Sequence, residues 1–467
     1  MYLAEQFATL ASSQLGLATS TIKHRLGSIM LITPAATDSS QGQQILARLR
    51  DRFQSADPAC QESVTGIIAA IQARGDEALI DYIRKFDAPS MTVEQLAVSE
   101  EELREAFTQV DQEFLDTLEL AVERIYTFHE HEKEQSWMVT REDGTITGRL
   151  VHPVDSAGLY VPGGQAGKTP LVSSVLMNGI PAAIAGVERR VMVTPPDATG
   201  KVNPALLVAA QEIGITEIYK AGSAWAIAAL AHGTETIEPV DVIVGPGNQY
   251  VTEAKRQVAG RVRIDMIAGP SEVLIIADHT GVPAYIAADM LAQAEHDPQA
   301  LSMCITTSQE MADNVVTELD RQLASLSRAD ITKRALSERG VVLVAEDLDE
   351  AIALANDIAA EHLELMIDSP FEWLTRVRHA GAIFLGRYTP ESAGDYLAGP
   401  NHVLPTMGTA RFSSALGVET FVKKSSLIAY SHEALLADSD HIQRLAKLEG
   451  LTAHAGSVAI RTQEKKA

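Results

Sequence analysis

From Gln61 the apolar residues Val64, Ile67, Ile68 and Ile71 recur at the spacing of one helix face, and Arg74-Gly75 closes the run, which predicts a helix. A long, charged helical stretch follows from Ser99 to about Lys133. From Arg149 onward short apolar runs of strand character alternate with helical patterns. Arg190 to Thr194 is followed by Pro204 to Ile213, Glu217 to Lys220 by Ala224 to Ala231, and Val240 to Val244 by Tyr250 to Val258. The same rhythm resumes after Gly269-Pro270-Ser271. Val273 to Ala277 leads into a helix through Ala292, Met303 to Thr306 into one through Leu326, and Val341 to Val344 comes next. Leu348 to Ala360 is helical in pattern and precedes the strand-like Leu363 to Ile367. Strands alternating with helices imply parallel sheets covered by helices, so two α/β units are expected. Residues 1 to about 55 mix Ser, Gln and Thr with short apolar runs and read as an extension around weak helices; the tail from about Gly417 is helical around residues 433 to 449 and ends in Leu451 to Arg461.

Length changes this picture only by supporting more than one core, since 467 residues exceed what one hydrophobic core fills. Charge excludes more. With 62 acidic against 38 basic side chains the formal charge is −24, a surface that repels nucleic acid phosphates and anionic lipid heads. No apolar run reaches the length of a membrane span, and the opening Met-Tyr-Leu-Ala-Glu-Gln lacks the basic and apolar regions of a secretory signal. Cys60 and Cys304 are too few for a disulfide framework and lack metal-ligand spacing, which fits a reducing cytoplasm. Cys304 falls in a strand-like run and reads as buried and inert.

Candidate chemistry gathers in a few segments. Gly158-Leu-Tyr-Val-Pro-Gly-Gly164 and Gly245-Pro-Gly-Asn248 read either as tight turns or as loops that let backbone amides approach a pyrophosphate, and their occurrence in one α/β unit favours a dinucleotide. Gln293 and His296, three apart on a predicted helix, share a face and supply two donors of a metal site, or else His296 caps the helix before Asp297-Pro298. Glu361-His362, at the boundary between a helix and a strand, offers two bases of different strength. Gly394, Gly399, Pro400 and Pro405 place Asp395 and His402 on a shaped loop. His129-Glu-His-Glu132 is no metal site, because helical residues two apart face different ways; a solvated helix end is expected there.

Together these segments resemble the histidinol dehydrogenase family. The resemblance runs from about Gly158 to His454 and also includes Ala268-Gly-Pro-Ser-Glu272, Ser392-Ala-Gly-Asp395, Asn401-His-Val-Leu-Pro-Thr406 and Leu451-Thr-Ala-His454. It implies one zinc ion per subunit held by Gln293, His296, Asp395 and His454, with Glu361 and His362 as general bases. Ser271, His362, His402 and Glu449, with the zinc ligands, would contact the substrate, and Tyr160 and Asn248 would contact NAD. Where the family usually carries glutamine in an Ala-Gln-Ala-Ile segment, this chain has Trp225, which lacks an amide's paired donor and acceptor but can stack or donate one N–H.

The implied fold is two Rossmann-like units with small terminal additions, in a homodimer whose Glu449 and His454 reach the partner's site. The expected division is an extension over 1–55, a discontinuous α/β domain over 56–157 and 272–416, a dinucleotide-binding domain over 158–271, and an addition over 417–467. The implied reaction is oxidation of L-histidinol through the aldehyde to L-histidine with two NAD+. Rival readings are a dehydrogenase of another small polar alcohol on the same scaffold, a zinc hydrolase with Glu361 as base, and a metal-binding scaffold without activity.

Overall fold

The computed structural model describes residues 31–53, 57–163 and 169–463, so the extension before residue 31 and the glycine at 164 lie outside it. The chain divides into two compact units. The first comprises residues up to Phe53, Pro270–Glu391 and Thr406–Phe412; the second comprises Gln54–Gly269, Ser392–Pro405 and the chain from Ser413.

In the first unit six parallel strands lie in the order Ala35–Ala36, Val341–Val344, Leu301–Thr306, Glu272–Ala277, His362–Met366 and Ala382–Leu385. The central strand Glu272–Ala277 is buried along its whole length, as expected of a strand covered on both faces. Ile275 and Ala277 pack on one side with Ile286, Met290 and Val315, while Leu274 and Ile276 pack on the other with Leu49, Ile352 and Leu365. Residues 31–53 are therefore not an appended extension. Ala35 and Ala36 form the edge strand, and the helix Ser40–Arg50, capped by the Ser39 hydroxyl, buries Leu46 and Leu49 in the core.

The second unit holds a five-stranded parallel sheet, ordered Glu217–Lys220, Arg189–Thr194, Ser156–Tyr160, Val242–Val244 and Arg263–Ile264. Residues 57–157 belong here rather than with the first unit, because the helices Pro58–Arg74 and Asp76–Phe86 bury Val64, Ile67, Ile71 and Ile83 against the helix Ser223–His232. The C-terminal segment is not helical throughout. Val422–Ala429 pairs antiparallel with Ile146–Pro153, whose other edge takes Trp137–Thr140, before the helices His432–Leu448 and Thr452–Thr462. His129 is buried rather than solvated, since its Nδ1 lies 2.7 Å from the Glu132 carboxylate, which also accepts the Val418 N–H. Both cysteines are buried, and no helix among the described residues is long and apolar enough to cross a membrane.

Asp87, at the end of the helix Asp76–Phe86, has a buried carboxylate oxygen with no hydrogen-bond partner, and burial raises its pKa from 3.8 to about 7. The folded chain thus holds this proton more tightly than the unfolded chain. The stability it contributes is present below pH 3.8 and is lost as pH rises to about 7. Asp87→Asn is expected to raise the melting temperature at pH 8 by more than at pH 5. An equal change at both values in thermal melts would refute the assignment.

Candidate functional site

Two groups of side chains stand out, one in each unit. In the first unit Ser271 precedes the central strand, and the peptide of Glu272 serves both predicted bases. The Glu272 N–H donates to Glu361 Oε2 at 2.8 Å, and its carbonyl lies 3.0 Å from His362 Nδ1. A carbonyl only accepts, so neutral His362 carries its proton on Nδ1 and presents Nε2 as the basic nitrogen. Glu361 Oε2 and Glu391 Oε1 lie 3.7 and 3.9 Å from the same Nδ1, where they favour the charged ring once Nε2 takes a proton.

The helix Pro283–Ala294 carries Gln293, which is wholly buried with neither atom of its carboxamide hydrogen-bonded within the chain. Buried amides are ordinarily paired, so this side chain fits the role of a ligand to something the chain does not itself supply. His296 lies just past the helix end, with ligating atoms within 4.8 Å of those of Glu391. It remains solvent-accessible, yet surrounding protein desolvates it enough to lower its pKa below the ordinary value, which keeps the imidazole neutral as a metal requires. Asp395, in the second unit's segment Ser392–Pro405, is not on a loop: it lies in the short helix Glu391–Tyr396. Desolvation raises the Asp395 pKa to about 6.

Sequence reasoning missed the acidic residues around this dyad. Glu364, two positions beyond His362 on its strand, accepts the Glu391 N–H at 3.0 Å and hydrogen-bonds the Asp289 carboxyl. Burial pushes Asp289 up to about 6 and Glu364 well above its ordinary value, and each carboxyl raises the cost of charging the other. Their signal in the sequence was a carboxylate within an apolar element, Glu364 on a strand and Asp289 on the helix Pro283–Ala294, legible only once those positions are known to be buried.

In the second unit the strand order turns back between Ser156–Tyr160 and Val242–Val244, the position where open α/β sheets bind ligands beyond the strands' carboxyl ends. Tyr160 ends the first of these strands, and Gly245-Pro-Gly-Asn248 follows the second. Gly245 has φ +113°, and a Cβ there would lie 2.1 Å from the Tyr160 carbonyl oxygen, so only glycine fits. Its N–H donates to Asp265 Oδ2 at 2.8 Å and its carbonyl accepts from Lys255 Nζ at 3.0 Å. Asn248 caps the helix Gln249–Val258, accepting from the N–H groups of Tyr250 and Val251. That is a helix N-terminus opening on a glycine turn, an arrangement suited to a pyrophosphate.

Tyr160 is buried, its hydroxyl accepts the Ser223 N–H at 3.1 Å, and desolvation raises it to about 12. Trp225, on the helix Ser223–His232, is also buried and stacks on Tyr82 and Phe86 at centroid distances of 5.6 and 5.4 Å. Its ring is thus already engaged in stacking, while its indole N–H makes no hydrogen bond. Elsewhere in this unit His402 Nδ1 lies 3.0 Å from the Asp395 carbonyl, which brings together the two residues that anchor the glycine- and proline-rich segment. Glu449, capping the helix His432–Leu448, and His454, on Thr452–Thr462, are both exposed.

Comparison with known proteins identifies the scaffold. Residues 50–462 match the family described as histidinol dehydrogenase. The histidinol dehydrogenase of Desulfotalea psychrophila is 66% identical over 434 residues, covering 93% of this chain and 100% of that one. That of Nitratidesulfovibrio vulgaris is 55% identical over 409 residues, covering 88% and 94%. The crystal structure of histidinol dehydrogenase from Elizabethkingia anophelis matches with a TM-score of 0.87 at 37% identity, covering 92% of this chain and 98% of that chain. By sequence and by fold, the chain belongs to the histidinol dehydrogenase family of oxidoreductases.

Proposed function

We propose that this protein oxidises L-histidinol to L-histidine through L-histidinaldehyde, with two NAD+ consumed and one zinc ion per subunit. The observation that carries the reading is the Glu361–His362 dyad, both of whose members hydrogen-bond the Glu272 peptide. The buried, unsatisfied Gln293 carboxamide and the neutral His296 support a metal beside it. Gln293, His296, Asp395 and His454 would hold that metal, a borderline donor set that suits zinc. Zinc when bound supplies a positive charge that fixes the substrate's amine and imidazole nitrogens, and NAD+ supplies the hydride acceptor for each oxidation.

The chain's own groups then handle protons. His362 Nε2 takes the alcohol proton as the carbinol C–H leaves as hydride, giving the aldehyde. Glu361 takes a proton from the water that adds to the aldehyde carbon, and the hydrate loses a second hydride to give the carboxylate. Ser271, His402 and Glu449 would complete the substrate contacts, the Glu449 carboxylate matching a cationic amine. Tyr160, Asn248 and Trp225 would border the dinucleotide. Their place at the turning point of the five-stranded sheet supports this for Tyr160 and Asn248, whereas Trp225 would offer its indole N–H, since its ring already stacks on Tyr82 and Phe86. The exposure of Glu449 and His454 supports a homodimer in which each reaches the partner's site, and two buried free cysteines suit a reducing cytoplasm.

Purified protein with NAD+ and L-histidinol is expected to form about two NADH per histidinol consumed, to lose that activity on chelation, and to regain it with zinc. No NADH from zinc-loaded protein would overturn the reading. The two bases should separate in mutants. His362→Asn is expected to lower kcat about 10²- to 10⁴-fold, the usual worth of a positioned general base. Glu361→Gln is expected to slow histidinaldehyde oxidation more than histidinol oxidation, moving the NADH yield toward one per histidinol. An unchanged yield with both steps equally slowed would remove Glu361 from water activation.

A further inference from the structure

The peptide of Glu272 holds the dyad, and its side chain has a partner from far along the sequence. Arg52, just past the helix Ser40–Arg50, donates Nε to Glu272 Oε1 at 2.6 Å and Nη2 to Oε2 at 2.8 Å. The pair is almost fully excluded from water, with side-chain exposures of 5% and 2%. The guanidinium is also tied to the main chain on two sides. Nη1 donates to the Leu49 carbonyl at 2.7 Å, and Nη2 reaches the Ala359 carbonyl at 3.4 Å, two residues before Glu361. A planar fork spending its donors on a carboxylate and two carbonyls holds all of them in one geometry.

We infer that Arg52 and Glu272 are positioning residues for the reaction: their buried fork fixes the main chain of Glu272, the first residue of the central strand, and through its N–H and C=O the placement of Glu361 and the tautomer of His362. Neither side chain touches a reacting atom. Arg52 acts from the N-terminal segment, 220 positions from Glu272. If the Glu272 main chain shifts, the His362 Nδ1–H loses its acceptor and the Glu361 carboxylate its donor, so both bases are displaced at once. Misplacement by about 1 Å is enough to cost roughly 100-fold in rate. The inference rests on the proposed roles of Glu361 and His362.

The test compares variants in the NADH assay with thermal melts alongside. Removing one partner strands a buried charge, so the informative variant is R52M/E272L, in which two apolar side chains replace the pair and folding is retained. It is expected to melt near the parent, with KM for NAD+ unchanged, kcat lowered about 10- to 100-fold, and the acidic limb of the kcat–pH profile displaced. Guanidinium ion added to R52A is expected to restore part of the lost kcat. R52K, which keeps the charge without the fork, should fall between the two.

A folded R52M/E272L with parental kcat and pH profile would overturn the inference. If that variant does not fold, R52K with parental kcat and pH profile overturns it instead. The underlying reading fails separately, through H362N retaining activity. An inactive H362N beside a fully active R52M/E272L refutes the positioning role alone.

Discussion

The register between the strands Glu272–Ala277 and His362–Met366 is the constraint on which the reactive end of the first unit depends. It sets His362 opposite Val273, so the main-chain N–H and C=O of the preceding residue, Glu272, lie within reach of Glu361 and His362. A slip of one residue would turn His362 to the other face of the sheet and present Leu363 in its place. The slip is prevented by burial. Val273, Leu274, Ile275 and Ile276 are fully enclosed and divide between two different cores, so neither face accepts the other's side chains. Removing either member of the Arg52–Glu272 pair would cost about 3–5 kcal/mol through the stranded charge alone. A pair of apolar residues could match that stability but not the fork's geometry.

The two sheets present opposite edges to their chemistry, and helix dipoles supply a reason. In the five-stranded sheet Tyr160 and the Gly245–Asn248 turn stand at the carboxyl ends of strands, where the following helix offers the positive end of its dipole. In the six-stranded sheet Glu272 and His362 are the first residues of their strands. Two helices end on that side: Pro283–Ala294, which leads into the strand Leu301–Thr306, stops just before His296, and Leu348–Ile358 stops just before Glu361. Helix C-termini carry partial negative charge, which Glu391 reinforces. One edge therefore suits an anion such as a pyrophosphate and the other a cation, whether metal or amine.

Much of the α/β rhythm was legible because fully buried strands are short apolar runs and their helices are periodic. Glu217–Lys220 and Val341–Val344 fall where the pattern puts them. The terminal segments were not legible, for two different reasons. The edge strand at Ala35 is two residues long, too short for any period, and Val422–Ala429 is exposed almost throughout, so burial imposes no alternation on it. Local motifs brought Gln293, His296, Glu361 and His362 to attention through spacing. Asp395 was misplaced onto a loop because Gly394 falls inside its short helix. Arg52 and Glu272 carried no local signal, since a buried ion pair is defined by its partner, and the partner is 220 residues away.

The global charge of −24 acts on the proposed substrate and cofactor with opposite sign. An amino alcohol with a protonated amine is drawn toward an acidic surface, whereas a dinucleotide bearing a pyrophosphate is repelled by it. At physiological ionic strength such fields fade over about 8 Å, so they govern approach more than the bound state. The proposed dinucleotide would then be held by close, preorganised groups rather than by net charge. Gly245 and the Asn248-capped helix are of that kind, because backbone amides carry no counterion and are fixed before the ligand arrives. A single Lys255, tied to Asp265 and the Gly245 carbonyl, spends its charge on shaping that turn instead of on the ligand. In so acidic a protein, local backbone geometry would be the means by which the proposed anionic cofactor is accommodated.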